Sequence, residues 1–115
     1  YLWDFYNILK ELDSVDSVPK DNWIEMVLDD YDEESGGFRT IKNGIKGITN
    51  SRNAYFLLRE LDALDRINWT KAVEYVLSLQ LPDGYFQHPL VMGVSLPGPT
   101  VRAYSFLNAS NNLHL

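Results

Sequence analysis

Apolar residues recur at helical spacing in five stretches of the chain, and polar or turn-forming residues fall where those stretches begin and end. The clearest stretch has Trp69, Ala72, Val73, Val76, Leu77 and Gln80 at i, i+3, i+4, i+7, i+8 and i+11, one face of an α-helix. Asn68 precedes it in the position of an N-cap, and Asn22 is expected to play the same part earlier in the chain. Pro82 and Gly84 end it, the first by lacking an amide donor and the second by admitting positive φ. Ala54, Leu57, Leu58, Leu61 and Leu64 form a second apolar face. The pattern predicts helices over 1–13, 22–31, 51–64, 68–80 and 100–109, with a loop after the second and another after the fourth. Gly44 and Gly47 lie in one loop, and Pro89, Gly93, Pro97, Gly98 and Pro99 in or beside the other. Strand alternation is almost absent, so the expected fold class is all-α.

The helices repeat. "FYNILKELDSVD" (Phe5–Asp16) and "AYFLLRELDALD" (Ala54–Asp65) align at a shift of 49 residues, matching Tyr6 to Tyr55, Lys10 to Arg59, Glu11 to Glu60, Leu12 to Leu61, and Asp13 and Asp16 to Asp62 and Asp65. A further shift of 49 places Ala54, Tyr55 and Leu58 on Ala103, Tyr104 and Leu107. Between them, Trp23 is paired with Trp69, Gly36 and Phe38 with Gly84 and Phe86, Gly44 and Ile45 with Gly93 and Val94, and Ser51 with Thr100. Each unit is a pair of helices. One domain is expected, with units over about 1–50 and 51–99 and an incomplete one over 100–115. The opening residue, Tyr1, is not an initiator Met and starts directly on an amphipathic pattern, so a piece of a longer protein is expected.

Composition narrows the function classes. The 115 residues carry a net charge of −6 with scattered Lys and Arg, which excludes a surface built for nucleic-acid phosphates. No apolar run approaches the ~20 residues that span a bilayer, and no signal peptide or lipidation motif is present. The absence of cysteine excludes disulfides and thiolate chemistry within these residues and accords with a reducing, cytoplasmic setting.

"AVEYVLSLQLPDGYF" (Ala72–Phe86) resembles the repeat of protein prenyltransferase β-subunits and squalene/oxidosqualene-type terpene cyclases. In that repeat the outer helix ends on Gln, a short acidic turn, Gly and an aromatic, as Gln80, Asp83, Gly84 and Phe86 stand here, with Ala72, Tyr75 and Val76 before them. The resemblance covers nearly the whole chain and implies a segment of an α/α toroid, about two and a third repeats long. About six such hairpins close a ring around an apolar cavity in that family. It also implies an architectural role for Gln80, bonding backbone at the end of one helix to backbone starting the next, and for Phe86, plugging the seam between hairpins.

The resemblance further implies an isoprenoid or other apolar small molecule as ligand, with a diphosphate held near the starts of inner helices, where free N–H groups favour anions. Arg52 and Arg102 stand near two such starts. With Tyr55 and Tyr104 they make up the candidate ligand-binding set. The family's chemistry is not completed by these residues. The zinc of protein prenyltransferases needs Asp, Cys and His, and here His88 and His114 stand without a cysteine. The acid-rich Asp-x-Asp-Asp segment of class II cyclases is replaced by "TNSRNA" (Thr49–Ala54) and "GPTVRA" (Gly98–Ala103). No catalytic residue, metal or cofactor is therefore assigned.

"DDYDEE" (Asp29–Glu34) sets Asp29, Asp30 and Glu33 in the order Asp-Asp-x-x-Glu, a magnesium–diphosphate pattern, while Asp30, Asp32 and Glu34 alternate as in a calcium loop. Ser35 and Ile41 occupy the glycine and final glutamate positions of such a loop, and the repeat places the cluster at a helix end, so a solvated acidic turn is expected. Three functions follow. The first is part of the cavity wall of an isoprenoid-handling transferase or cyclase. The second is a non-catalytic repeat module for binding or scaffolding, covered by the rest of a parent chain or by copies of itself. The third is a fragment of an α/α-barrel carbohydrate enzyme, for which Tyr55, Tyr85, Tyr104 and Trp69 would line a sugar cleft.

Overall fold

A computed structural model describes residues 2–39, 47–87, 93 and 97–110. His88, His114, Ile41, Gly44, Ile45, Pro89 and Val94 lie outside these residues. Five α-helices are present among them: α1 (Leu2–Glu11), α2 (Lys20–Asp29), α3 (Ile48–Glu60), α4 (Trp69–Leu77) and α5 (Pro97–Ala109). Helix α3 packs between α1 and α5. Helix α2 closes the apolar side of the α1–α3 pair, where Trp23, Ile24 and Val27 meet Tyr6, Ala54, Leu57 and Leu58. Helix α4 does the same for α3 and α5, where Ala72, Val73 and Val76 meet Tyr55, Ala103, Phe106 and Leu107. The result is two layers, a row of α1, α3 and α5 backed by α2 and α4.

The repeat is visible in the backbone. Helices α1 and α3 both end in a Schellman motif: Ser14 N–H donates to Leu9 O and Asp13 N–H to Lys10 O, as Ala63 N–H does to Leu58 O and Asp62 N–H to Arg59 O. In each the αL residue is an aspartate, with φ of 55° at Asp13 and 56° at Asp62. Aspartate tolerates this conformation better than most residues with a Cβ. The motif ends α3 at Glu60, four residues short of the predicted end. Its start is three residues earlier than predicted, at Ile48, after Gly47. Likewise α5 begins at Pro97, because Pro97 and Pro99 sit in the first turn, where amides have no helical partner anyway.

One alignment is corrected. Helix α2 starts at Lys20 behind Pro19, so Asn22 is a first-turn residue and not its N-cap. The buried residues of α2, Trp23, Ile24 and Val27, correspond at a shift of 49 to Ala72, Val73 and Val76 of α4. Trp23 therefore answers Ala72, and Trp69 answers Lys20. The shared Asn-Trp pair at 22–23 and 68–69 is a coincidence of identity that burial overrules. Asn68 does cap α4, its side-chain oxygen accepting from Thr70 N–H at 3.1 Å.

After each outer helix the chain reverses through a turn closed by an isolated β-bridge, Tyr31 with Phe38 and Gln80 with Phe86. The first turn is one residue longer than the second, seven positions between bridge residues against six. Phe38 and Phe86 at the ends of these turns are fully buried, and each contributes roughly 1.5–3 kcal/mol of burial. Gln80 acts within its own turn, donating from Nε2 to Gly84 O at 3.1 Å, and does not reach the next helix. That link is made by Tyr104, whose hydroxyl donates to the same carbonyl at 2.9 Å, and by Thr100, whose hydroxyl accepts from Phe86 N–H at 2.9 Å.

Candidate functional site

On α3 the residues Ala54, Leu57, Leu58 and Leu61 turn into the core, which leaves Arg52, Phe56 and Arg59 at i, i+4 and i+7 on the opposite side. Both guanidinium groups lie over the Phe56 ring, with the Arg52 carbon 4.9 Å and the Arg59 carbon 5.0 Å from its centroid. Trp3 of α1 adds a second ring, 5.5 Å from Phe56. Arg52 is held further by donating from Nε to Ser105 Oγ at 3.2 Å and from Nη1 to Asn53 Oδ1 at 3.0 Å. Its charge is thus oriented but not neutralised by these partners.

Between α3 and α5 lies an open cleft of about 400 Å³ lined by Arg52, Gly98, Val101, Arg102 and Ser105. Two cationic side chains and no carboxylate line it. A Cβ at Gly98 would stand 3.0 Å from Nη1 at the movable tip of Arg102. The structure therefore brings Arg52 and Arg102 together on one cleft.

The two candidate tyrosines sit elsewhere. Tyr55 is buried in the α3–α5 seam, its ring edge-on to Trp69 at 5.0 Å and to Phe106 at 5.7 Å, and its hydroxyl donates to Ala109 O at 3.1 Å. Tyr104 stands edge-on to Phe86 at 5.6 Å and bonds Gly84 O. Trp69 is also a packing residue, donating from Nε1 to Leu64 O at 2.7 Å, while Tyr85 is exposed on the turn. Among the described residues, neither the Arg52–Arg102 cleft nor the cleft beside Tyr31 is lined by any of these four aromatics.

The acidic turn is internally bonded. Asp32 accepts from Glu34 N–H at 3.2 Å on one carboxylate oxygen and from Ser35 Oγ at 2.8 Å on the other. Among the described residues no group of three or more His, Cys, Asp or Glu side chains converges as metal ligands would. Burial pushes the Asp30 carboxyl above its ordinary pKa, Arg39 opposes this and Asp29 adds to it. The phenol of Tyr31 is raised as well, first by burial and then by Glu33 and Asp32. Next to the turn a second cleft of about 360 Å³ is lined by Tyr31, Glu33, Arg66, Ile67, Asn68 and Lys71. Lys71 donates to the Glu33 carbonyl there.

The family model described as Prenyltransferase alpha-alpha toroid domain matches residues 1–96. The chain belongs to this prenyltransferase toroid family. Among curated proteins none matches it. The all-helical, two-layer architecture is that of an α/α-toroid segment, with α1, α3 and α5 as the row to which the outer helices α2 and α4 are attached. Among the described residues no helix is long and apolar enough to cross a membrane.

Sequence reasoning named Arg52 and Arg102 but passed over Phe56, Arg59, Trp3 and Ser105. The signal was there in part: Arg52, Phe56 and Arg59 keep helical spacing on the side of α3 away from its leucines.

Proposed function

We propose that this toroid segment forms part of the wall of an isoprenoid-binding cavity in a transferase or cyclase, with Arg52 and Arg102 facing the diphosphate. The observation that carries this reading is the cleft between α3 and α5, where two arginines from adjacent helices line one opening with no carboxylate beside them. Guanidinium groups suit phosphate oxygens through bidentate bonds, and Phe56 and Ser105 fix the plane of one of them before a ligand arrives. Trp3 and Phe56 supply apolar surface next to that charge, as a prenyl chain beside its diphosphate requires. In this reading Tyr55 and Tyr104 serve the ligand by setting α5 against α3 and against the Gly84 turn. Bond-making chemistry belongs to residues outside the set described here, so the proposal concerns binding.

Thermal unfolding with geranylgeranyl diphosphate, farnesyl diphosphate, inorganic pyrophosphate and a neutral oligosaccharide tests it. At a ligand concentration about 100 times Kd, mass action stabilises the fold by about 2.7 kcal/mol, a Tm increase on the order of 10 °C for a domain of this size. The prenyl diphosphates are expected to raise Tm more than pyrophosphate, and Arg52→Ala or Arg102→Ala to remove most of that increase. A response to the oligosaccharide alone would move the chain to the carbohydrate reading. No response to any of them would leave it a scaffold.

A further inference from the structure

Arg59 ends the row that begins at Arg52, and it carries a charge that nothing near it balances. It is exposed in the last turn of α3. The one acid of that helix, Glu60, accepts instead from Lys10 of α1 at 3.2 Å. Among the described residues no carboxylate pairs with Arg59. This runs against the trend of a chain in which 16 acidic residues outnumber 10 basic ones. The equivalent position one repeat earlier is Lys10 itself, so the same place is neutralised in one unit and left charged in the next.

Aromatic rings hold the group in place. Its guanidinium carbon lies 5.0 Å from the centroid of Phe56 and 6.0 Å from that of Tyr55. Such contacts attract a cation without neutralising it. Trp3, with its ring 5.5 Å from Phe56, extends the apolar surface beside the charge. The repeat puts positions 3, 7 and 10 of α1, 52, 56 and 59 of α3, and 101, 105 and 108 of α5 in matching places, and they include three bases and no Asp or Glu. Arg52 and Arg59 are seven residues apart, about 10 Å along the helix axis. Arg52 shares its cleft with Arg102 and suits a multiply charged group. Arg59 stands alone and suits a single charge.

We propose that Arg59 is a second anion-binding point on α3, separate from the Arg52–Arg102 cleft, and that it takes the carboxylate of an amphiphilic ligand whose apolar part lies against Phe56 and Trp3. The guanidinium matches a carboxylate through paired N–H bonds, and the rings restrict it before the ligand arrives. This inference goes beyond the diphosphate reading and does not need it, because the Arg59 contacts and the missing counter-charge stand by themselves. The wall then offers two polar ends with an aromatic surface between them, one for a multivalent anion and one for a monoanion.

Nitrogen-15 NMR of the backbone amides and the arginine Nε–H groups tests the proposal, with octanoate, octanamide and inorganic pyrophosphate as probes. The parent chain is compared with Arg59→Gln and Arg59→Lys; Arg59 is exposed, so both variants are expected to keep the parent's amide spectrum. Octanoate is expected to move the Arg59 Nε–H signal and the amides of 55–60, and octanamide to leave them in place. Arg59→Gln is expected to weaken octanoate binding about tenfold or more, the loss of a charge-assisted bond, and Arg59→Lys to weaken it less. Saturating pyrophosphate is expected to change octanoate affinity less than about threefold, since the two points lie further apart than the ~8 Å screening length. Octanoate binding at Arg59 with no pyrophosphate response anywhere would support this proposal and count against the Arg52–Arg102 reading. No octanoate response, equal binding of octanamide, or undiminished binding in Arg59→Gln would overturn it. So would competition between octanoate and pyrophosphate, which would mean a single site.

Discussion

Gly36 and Gly84 hold equivalent places in the two turns, at φ of 85° and 88°, but their surroundings differ. A Cβ at Gly36 would lie 2.4 Å from the carbonyl oxygen and 2.7 Å from the carbonyl carbon of Lys71, backbone atoms of α4 that cannot swing aside. At Gly84 the nearest atom is the Tyr104 hydroxyl at 3.8 Å, an ordinary contact. Left-handed strain applies to both and the collision to one. Gly84→Ala is therefore expected to cost about 1–2 kcal/mol, and Gly36→Ala roughly 3 kcal/mol or more once overpacking is added. Urea titration of both variants checks the order, and equal losses would mean that the first turn does not press on α4. Asp30 offers a test by pH. Its carboxyl pKa is raised in the fold, so the ionised form is disfavoured there relative to the unfolded chain. Any stabilisation from protonation is present below the ordinary value of 3.8 and is lost as pH rises through the folded pKa. Asp30→Asn, which imitates the neutral form, should raise Tm at pH 7 and bring no gain near pH 3. A gain of the same size at both pH values would place the effect outside ionisation.

At the scale of elements, each turn is tied to the helix that follows it, and the two ties differ. Thr100, at the start of α5, accepts from the buried Phe86 N–H. The counterpart of Thr100 is Ser51, whose hydroxyl is fully buried and has no partner among the described residues. Asn50 takes over there, donating to Phe38 O at 3.3 Å. Thr100→Val strands a buried amide and is expected to cost about 1–3 kcal/mol, while Ser51→Ala removes an unsatisfied hydroxyl and is expected to be close to neutral. Chemical denaturation of the two variants distinguishes them, and a large loss for Ser51→Ala would show that the serine has a partner after all. The pairing of Ser51 with Thr100 was legible in the sequence, as was the leucine face of α3, because both follow from a fixed shift and a helical period. The start of α2 was not, since the Asn-Trp identity outweighed the burial pattern of Trp23, Ile24 and Val27. The Arg52–Arg102 cleft was half legible. Its arginines follow from the positions of helix starts, but Phe56 and Ser105 matter through contacts between helices that no single period contains.

Over the whole molecule, two apolar cores share few residues. Trp69 is one, packed against both, with its ring 5.8 Å from Phe38 on the α2 side, and 5.0 Å from Tyr55 and 6.2 Å from Phe106 on the α5 side. Leu64, whose carbonyl accepts the Trp69 indole proton, is another. In a repeat array, cooperativity comes from the interfaces between neighbouring units, so weakening this junction should separate their unfolding without dissolving either unit. Trp69→Ala is expected to cost on the order of 3–5 kcal/mol. Native-state hydrogen exchange reads the consequence more directly than a melting curve. In the parent chain the core amides of α2, α3 and α4 should exchange at one common free energy, as they do when opening is global. In the variant, the amides of α4 and α5 should exchange faster than those of α1 and α2, because α4 loses its first-turn anchor and α5 loses a ring that Phe106 packs on. If all helices lose protection together, the junction runs through α3 instead, whose Tyr55 and Leu57 face the two cores from a single rigid helix, and the Trp69 ring is then core volume like any other.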